Sequence, residues 1–257
     1  MKIVVCIKQV PVGDVKIDPK TNNLARSNVE GDINTYDRNA IEAALQLKEQ
    51  AGGEVILLSM GPDSYMSSLR DGLAMGTDSA VLMSSRAFGG ADTLATAYTL
   101  SEGIKKIGGV DLILFGRQSV DADTGQVGPI VAEDLNIPQI TFAEGVELHD
   151  DNVLVGTRLL DNSVQEVKVT LPAVLTVRAE MNKPRYETPL NIQTSFEKPV
   201  TVWSEKDLDL DESRIGQAGS PTIVRKVYSP DKAAKQIEML PQNAAAAVTK
   251  LLTELNN

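Results

Sequence analysis

The stretch Gly116–Pro129, GRQSVDADTGQVGP, gathers residue types that can hold an anion. Gly116 ends an apolar run, and Gly125 and Gly128 stand where a helical pattern begins. Glycine lets a ligand approach the backbone closely. The first amides of a helix lack partners and lie at the positive end of its dipole. Ser119 and Thr124 add hydroxyl donors, and Arg117 adds a cation. This chemistry suits the phosphates of an adenine-containing cofactor. The same residues also make an ordinary turn-rich crossover loop, and composition does not separate the two readings. The segment is not a P-loop, because the Gly-Lys-Ser/Thr ending is absent, and it is not GxGxxG. Asp121 and Asp123 are awkward beside a phosphate and suggest cap roles or contacts to ribose hydroxyls.

Other residues carry weaker signals. Asp37 reads as the N-cap of a helix over Asn39–Gln50, with Asn34, Thr35 and Tyr36 just ahead of it. A placement of Asn34–Asp37 over an adenine or a flavin competes with plain capping. Cys6 and Met60 lie near strand ends and are ordinary core types. His149 falls in a turn and faces solvent. Trp203 and the basic segment Arg178–Arg185, RAEMNKPR, lie outside the expected α/β core. These cations are either solvated or face a partner.

Composition narrows the classes. One cysteine in 257 residues leaves no intramolecular disulfide and no metal site built on thiolates, and one histidine removes most histidine-based metal sites and most Ser-His or Cys-His triads. The net charge of -10 argues against a nucleic-acid partner. No apolar stretch reaches the roughly 20 residues that cross a bilayer. KIVVCIK at the start is strand-like rather than a secretory leader, so a cytoplasmic location without membrane insertion is expected.

The elements that must position the loop alternate. Ile3–Ile7, Glu54–Met60, Ala80–Met83 and Asp111–Phe115 read as strands buried on both faces. Helical patterns over Asn39–Gln50, Ser64–Met75, a run capped by Asp92 to about Lys106, and about Gln126–Leu135 separate or follow them. Such alternation demands a parallel sheet with right-handed crossovers, and ligands then bind beyond the carboxyl ends of the strands. The stretches Gln9–Gly13, Met60–Asp63 and Gly116–Pro129 occupy that edge. Val15–Ile17 and Asn22–Ala25 read as a small excursion. From Thr141 the chain changes texture. Thr141–Leu148, Val153–Leu160 and Val164–Arg178 read as antiparallel strands, with turns at His149–Asn152 and Asp161–Ser163. Beyond Arg178 periodicity fades until helical patterns at Asp231–Leu240 and Asn243–Leu255. The expectation is α/β: an open, mostly parallel sheet with flanking helices, an added antiparallel β segment and an extended C-terminal arm. Residues 1–190 form the nucleotide-binding domain, and residues 191–257 are an arm that packs on a partner.

Several separated stretches resemble the β subunit of electron-transfer flavoprotein: KIVVCIKQVP, NTYDRNAIEAAL, LSMGP, LAMGTDSAVLM and LILFGRQSVDADTGQVGP. Gly156, Arg158, Asp161, Gln165, Val167, Pro172 and Val174–Thr176 fit the family pattern, whereas Asn162 and Ser163 depart from it. The loop Asp123–Pro129 and Gly219–Thr222 look like the bifurcating branch.

The resemblance implies a heterodimer with an α subunit, embraced by the arm. It also implies a second adenine nucleotide in the β subunit: FAD in the bifurcating type, AMP in simple carriers. In the bifurcating branch NADH is the electron donor. One electron passes to ferredoxin or flavodoxin, and the other to an acyl-CoA dehydrogenase-type flavoenzyme. The ligand contacts carried over by position are Cys6, Asn34, Thr35, Tyr36, Asp37 and Met60. With them come Gly116, Arg117, Gln118, Ser119, Val120, Asp121, Ala122, Asp123, Thr124, Gly125, Gln126 and Val127. The backbone near Cys6 and Met60 would flank the adenine, and the amides from Thr124 to Val127 would hold the diphosphate. No residue need act as general acid or base. A nucleotide-dependent enzyme or sensor of the same layout is the remoter reading, disfavoured by the missing P-loop and the acidic arm.

Overall fold

The computed structural model describes residues 1–13, 31–149, 152–224 and 239–255. The expected excursion at Val15–Ile17 and Asn22–Ala25, and nearly all of the expected helix Asp231–Leu240, lie outside them.

A nine-stranded sheet forms the centre. Its first strands in the chain are β1 (Lys2–Cys6), β4 (Glu54–Met60), β5 (Ser79–Met83) and β6 (Leu112–Gly116). Each is rich in β-branched or aliphatic residues without alternation, as burial on both faces requires. The short strands β2 (Gln9–Pro11) and β3 (Gly31–Ile33) pair with each other outside this sheet. Gln9–Gly13, read as a loop, thus begins as a strand of a small ribbon.

Four helices cover the faces: α1 (Thr35–Ala51), α2 (Met66–Met75), α3 (Thr93–Ile107) and α4 (Val127–Leu135). Helices α1 and α2 supply Ala40, Ile41, Leu45, Leu69 and Leu73 to one apolar layer. On the opposite face α3 and α4 supply Ala97, Tyr98, Ile104, Val131 and Ala132 to the other. Asp92 caps α3 as its sequence suggests, its Oδ1 accepting from the amides of Leu94 and Ala95.

Strand order explains why the site lies where it does. From β1 the chain moves outward through β4 to β5, then returns across the other face to place β6 on the far side of β1. The connections leaving β1 and β6 therefore diverge to opposite faces and open a crevice between the two strand ends. In open α/β sheets ligands occupy this switch point.

The second half is a meander with one departure. β7 (Gln139–His149), β8 (Val153–Leu160) and β9 (Ser163–Thr170) run antiparallel. The stretch Val164–Arg178, read as antiparallel throughout, breaks at a cis Leu171–Pro172 peptide. Its second half, β10 (Ala173–Val177), inserts between β6 and β7 and runs parallel to both. β9 buries none of its residues and belongs at an edge, whereas every residue of β10 is buried.

The tail beyond Arg178 begins on the core. The helix α5 (Pro189–Ser195) contacts α2, and β11 (Val200–Trp203) adds a parallel edge strand to β5. Trp203, placed outside the core by sequence, packs on the α3 layer with the Lys106 ammonium 5.0 Å from its ring. Ile215 is buried in the same layer. The terminal helix α6 (Ala244–Leu255) buries none of its side chains.

The basic segment is held by this chain's own acids. Arg178 pairs with Glu144 at 2.7 Å and Glu180 at 3.2 Å. Arg185 pairs with Glu42 at 2.8 Å and Glu49 at 2.6 Å on α1. His149 ends β7 with an exposed ring.

Candidate functional site

At the switch point the two strand ends are tied together by one carboxylate. Asp37 lies in the first turn of α1 and is buried. Its Oδ2 accepts from the Lys8 amide at 2.8 Å, just past β1. Its Oδ1 accepts from the Gly116 amide at 3.1 Å, at the end of β6. A third donor, the Asn34 side-chain amide, reaches Oδ1 at 2.9 Å. Asp37 is therefore not the N-cap expected of it. Asn34 holds that position, and its side chain makes no cap bond. The freed carboxylate works across the sheet, satisfying backbone donors that the diverging strands leave open.

Asn34 uses its remaining valences on the loop. Its Nδ2 donates to the Gln118 carbonyl at 2.8 Å, and its Oδ1 accepts from the Val120 amide at 3.1 Å. Thr35 and Tyr36 complete this corner. Gly116 is pressed against it: a Cβ there would lie 2.3 Å from Asp37 Oδ1 and 2.6 Å from the Tyr36 carbonyl carbon. Only glycine fits the junction.

The loop then turns on itself. The amides of Ala122 and Asp123 donate to the Ser119 carbonyl at 3.3 and 2.8 Å. Asp123 adopts a left-handed backbone, and its carboxylate accepts from the Gln118 side chain at 2.7 Å. Asp121 accepts from the Lys8 ammonium at 2.6 Å, and that ammonium also reaches Ser119 Oγ at 3.3 Å. The two awkward aspartates thus have structural employment, and neither caps a helix. Lys8 escaped sequence reasoning, which offered no signal linking residues 8 and 121.

Gln126 is the N-cap of α4, its side-chain carbonyl accepting from Thr93 Oγ1 at 2.9 Å. Among the described residues the amides of Thr124, Gly125, Gln126 and Val127 meet no acceptor. Gly125 takes a left-handed φ of +60°. At Gly128 a Cβ would lie 2.7 Å from Thr176 Cγ2 on β10, so glycine lets α4 begin directly against the sheet. Unpaired amides at a helix start beside glycines are a donor set suited to phosphate oxygens. The residues fit a phosphate-bearing group on this ground.

Cys6 and Met60 stand at the carboxyl ends of adjacent strands, with Cys6 buried and Met60 partly buried. Burial pushes the Cys6 thiol up, and the Asp37 charge adds to it. Burial likewise raises the Asp37 carboxyl to about 7, against the pull of its three N–H donors and of Lys8. The structure thus gathers Cys6, Asn34, Asp37 and the Gly116–Val127 loop around one crevice, with Met60 at its β4 side.

No helix among the described residues is long and apolar enough to cross a membrane. The electron transfer flavoprotein domain model matches residues 21–208. The electron transfer flavoprotein subunit beta of Clostridium acetobutylicum is 44% identical over 258 residues, covering 99% of each chain. Subunit CarD of the caffeyl-CoA reductase-Etf complex of Acetobacterium woodii is 45% identical, covering 90% of this chain and 88% of its own. The acryloyl-CoA reductase electron transfer subunit gamma of Anaerotignum propionicum is 41% identical, covering 90% and 89%. A family match over residues 21–208 and a match to these relatives across nearly the full chain lead to one conclusion: the chain belongs to the electron transfer flavoprotein family, where it has the electron-transfer role of the β subunit.

Proposed function

We propose that the β1–β6 crevice binds FAD and that the chain, with an α subunit, takes electrons from NADH and splits them. One electron goes to ferredoxin or flavodoxin and the other to an acyl-CoA dehydrogenase-type flavoenzyme. The observation that carries the nucleotide reading is the row of unpaired amides from Thr124 to Val127, set beside Gly116 and Gly128, where any side chain would collide. The printed names of two relatives, a caffeyl-CoA reductase-Etf complex subunit and an acryloyl-CoA reductase electron transfer subunit, support the acyl-CoA side of the reading.

The chain's own residues bind and orient. The amides at the start of α4 hold the diphosphate, Asn34 and Asp37 fix the loop, and the backbone beside Cys6 and Met60 walls the adenine. When bound, the flavin supplies the hydride and single-electron chemistry, and the protein orients and tunes it. Residues 191–257 supply the arm. Because β11 and Ile215 rest on the core, the part that reaches the α subunit starts beyond Thr222 and includes α6.

The test is anaerobic addition of NADH to the purified heterodimer while flavin absorbance at 450 nm is followed. Rapid bleaching of two flavins per heterodimer is the expected result. A β site that holds AMP, with no NADH-driven bleaching, is the result that sinks bifurcation and leaves a simple electron carrier.

A further inference from the structure

Beside the nucleotide loop lies a strained cluster that the binding reading leaves unused. Phe142 on β7 adopts a left-handed φ of +57°, a conformation that a bulky aromatic residue rarely accepts. Its amide donates to Thr176 Oγ1 on β10 at 2.8 Å. Register shifts interrupt both flanking pairings, between Leu175 and Val177 and between Ala143 and Gly145. Strain of this kind persists only where the surroundings enforce it, often at binding sites.

The Phe142 ring supports a cation. The Arg117 guanidinium sits 5.3 Å from its centroid, and the Arg117 amide donates to the Val177 carbonyl at 2.8 Å. Arg117 Nε is buried without a partner, and among the described residues the side chain makes no hydrogen bond or ion pair. The nearby Arg178, by contrast, is neutralised by Glu144 and Glu180. Two arginines thus stand on one sheet edge: Arg178 is ion-paired, whereas Arg117 lies over an aromatic face and feels the Glu180 charge without pairing with it directly. A buried guanidinium nitrogen without an acceptor is costly unless a ligand supplies one. Thr176 connects this cluster to the loop. It fixes the Phe142 backbone through its hydroxyl, and its methyl group faces Gly128 in the first turn of α4. The strain at Phe142 and the start of α4 are therefore set by the same side chain.

We propose that Phe142 is a positioning residue that holds Arg117 against the phosphate oxygens of the bound nucleotide. The inference rests on the reading that the β1–β6 crevice takes an adenine nucleotide. Phosphate is the group that both the Arg117 fork and the unpaired α4 amides recognise.

The test uses heterodimer stripped of nucleotide and titrated calorimetrically with ADP and with adenosine. Arg117→Met should weaken ADP about 10- to 100-fold, as loss of a charge-assisted bond does, and leave adenosine within about 2-fold. Phe142→Leu should weaken ADP by about 3- to 5-fold, the scale of a lost cation–π contact, again sparing adenosine. In the Arg117→Met background Phe142→Leu should add nothing. Phe142→Asn accepts the left-handed backbone and secures a folded variant; it should melt no lower than wild type yet lose the same ADP affinity. The proposal is overturned if Phe142 variants bind ADP like wild type, if they weaken ADP and adenosine equally, or if their effects multiply with Arg117→Met. A wild-type heterodimer that binds no ADP refutes the nucleotide reading itself. Normal wild-type binding with insensitive variants refutes only the role of Phe142.

Discussion

Replacing Gly116 by alanine tests the junction on which the site depends. The new Cβ would stand 2.3 Å from Asp37 Oδ1, about 0.7 Å inside the 3.0 Å limit that real Cβ atoms respect. The Tyr36 carbonyl carbon, at 2.6 Å, blocks escape in the other direction. The first turn of α1 must therefore retreat, and the Gly116 amide loses its bond to Asp37. Overpacking costs about 1–3 kcal/mol, and a bond to a charged group adds about 1.5–3 kcal/mol; relaxation shares between them, so a net loss of roughly 2–4 kcal/mol is expected. For a chain of this size that lowers Tm by roughly 4–15 °C. Because Asn34 moves with the same turn, its grip on Gln118 and Val120 also loosens, and bound nucleotide should be lost on gel filtration. Gly145→Ala is the control: its Cβ would meet Thr157 at an ordinary 3.8 Å, and it should change nothing. The assay is thermal melting of the heterodimer with chromatography of the nucleotide it retains. A Gly116→Ala heterodimer that melts with wild type and keeps its nucleotide refutes the reasoning.

Other predictions follow from the same geometry. Asp37 is held near 7 in the folded protein, against an ordinary 3.8, so the folded state keeps a proton that the unfolded chain has released. The contribution of this group to stability is then greatest below about pH 4 and declines as pH rises through 7. The Tm advantage of wild type over Asp37→Asn, which leaves a buried N–H facing an amide, should accordingly shrink between pH 5 and pH 8; a gap that widens contradicts the assignment. Lys8→Met removes the ammonium that holds Asp121 and Ser119, and should raise proteolytic nicking within residues 117–126 while lowering stability by about 1 kcal/mol or less, since the lysine is partly exposed. Truncation after Thr222 should abolish association with the α subunit and leave the α/β core folded. Truncation after Pro199 should also lower the stability of the core, because it removes β11 and the Trp203 and Ile215 packing. Equal stability of the two truncations, read by circular dichroism melting, runs against this.

Much of the fold was legible because burial writes itself locally. Ile3–Ile7 and Leu112–Phe115 are continuous apolar runs, and glycines close α1, α2 and α3 where the sequence places them. The position of β10 was not read, although its signal is present: SVQEVKVT alternates as an edge strand does, and AVLTV does not. β11 was invisible because four residues at a sheet edge, half exposed, carry no period. In the site, the glycines and the helix start were readable from spacing. The role of Asp37 was not, because its partners lie 29 and 79 residues away, and a carboxylate before a helical pattern looks like a cap. A separation of 113 residues hid the pairing of Lys8 with Asp121, and the conformation of Phe142 has no counterpart in local sequence. Contacts made across strand ends depend on topology, and topology is what a local pattern leaves unwritten.

The most direct measurement is a count of the nucleotides released from the purified α/β heterodimer after denaturation. The account predicts two FAD per heterodimer, one of them lost selectively in Gly116→Ala. One FAD with one AMP would contradict a flavin in the β1–β6 crevice, and one FAD with no second adenine nucleotide would contradict the crevice as a nucleotide site.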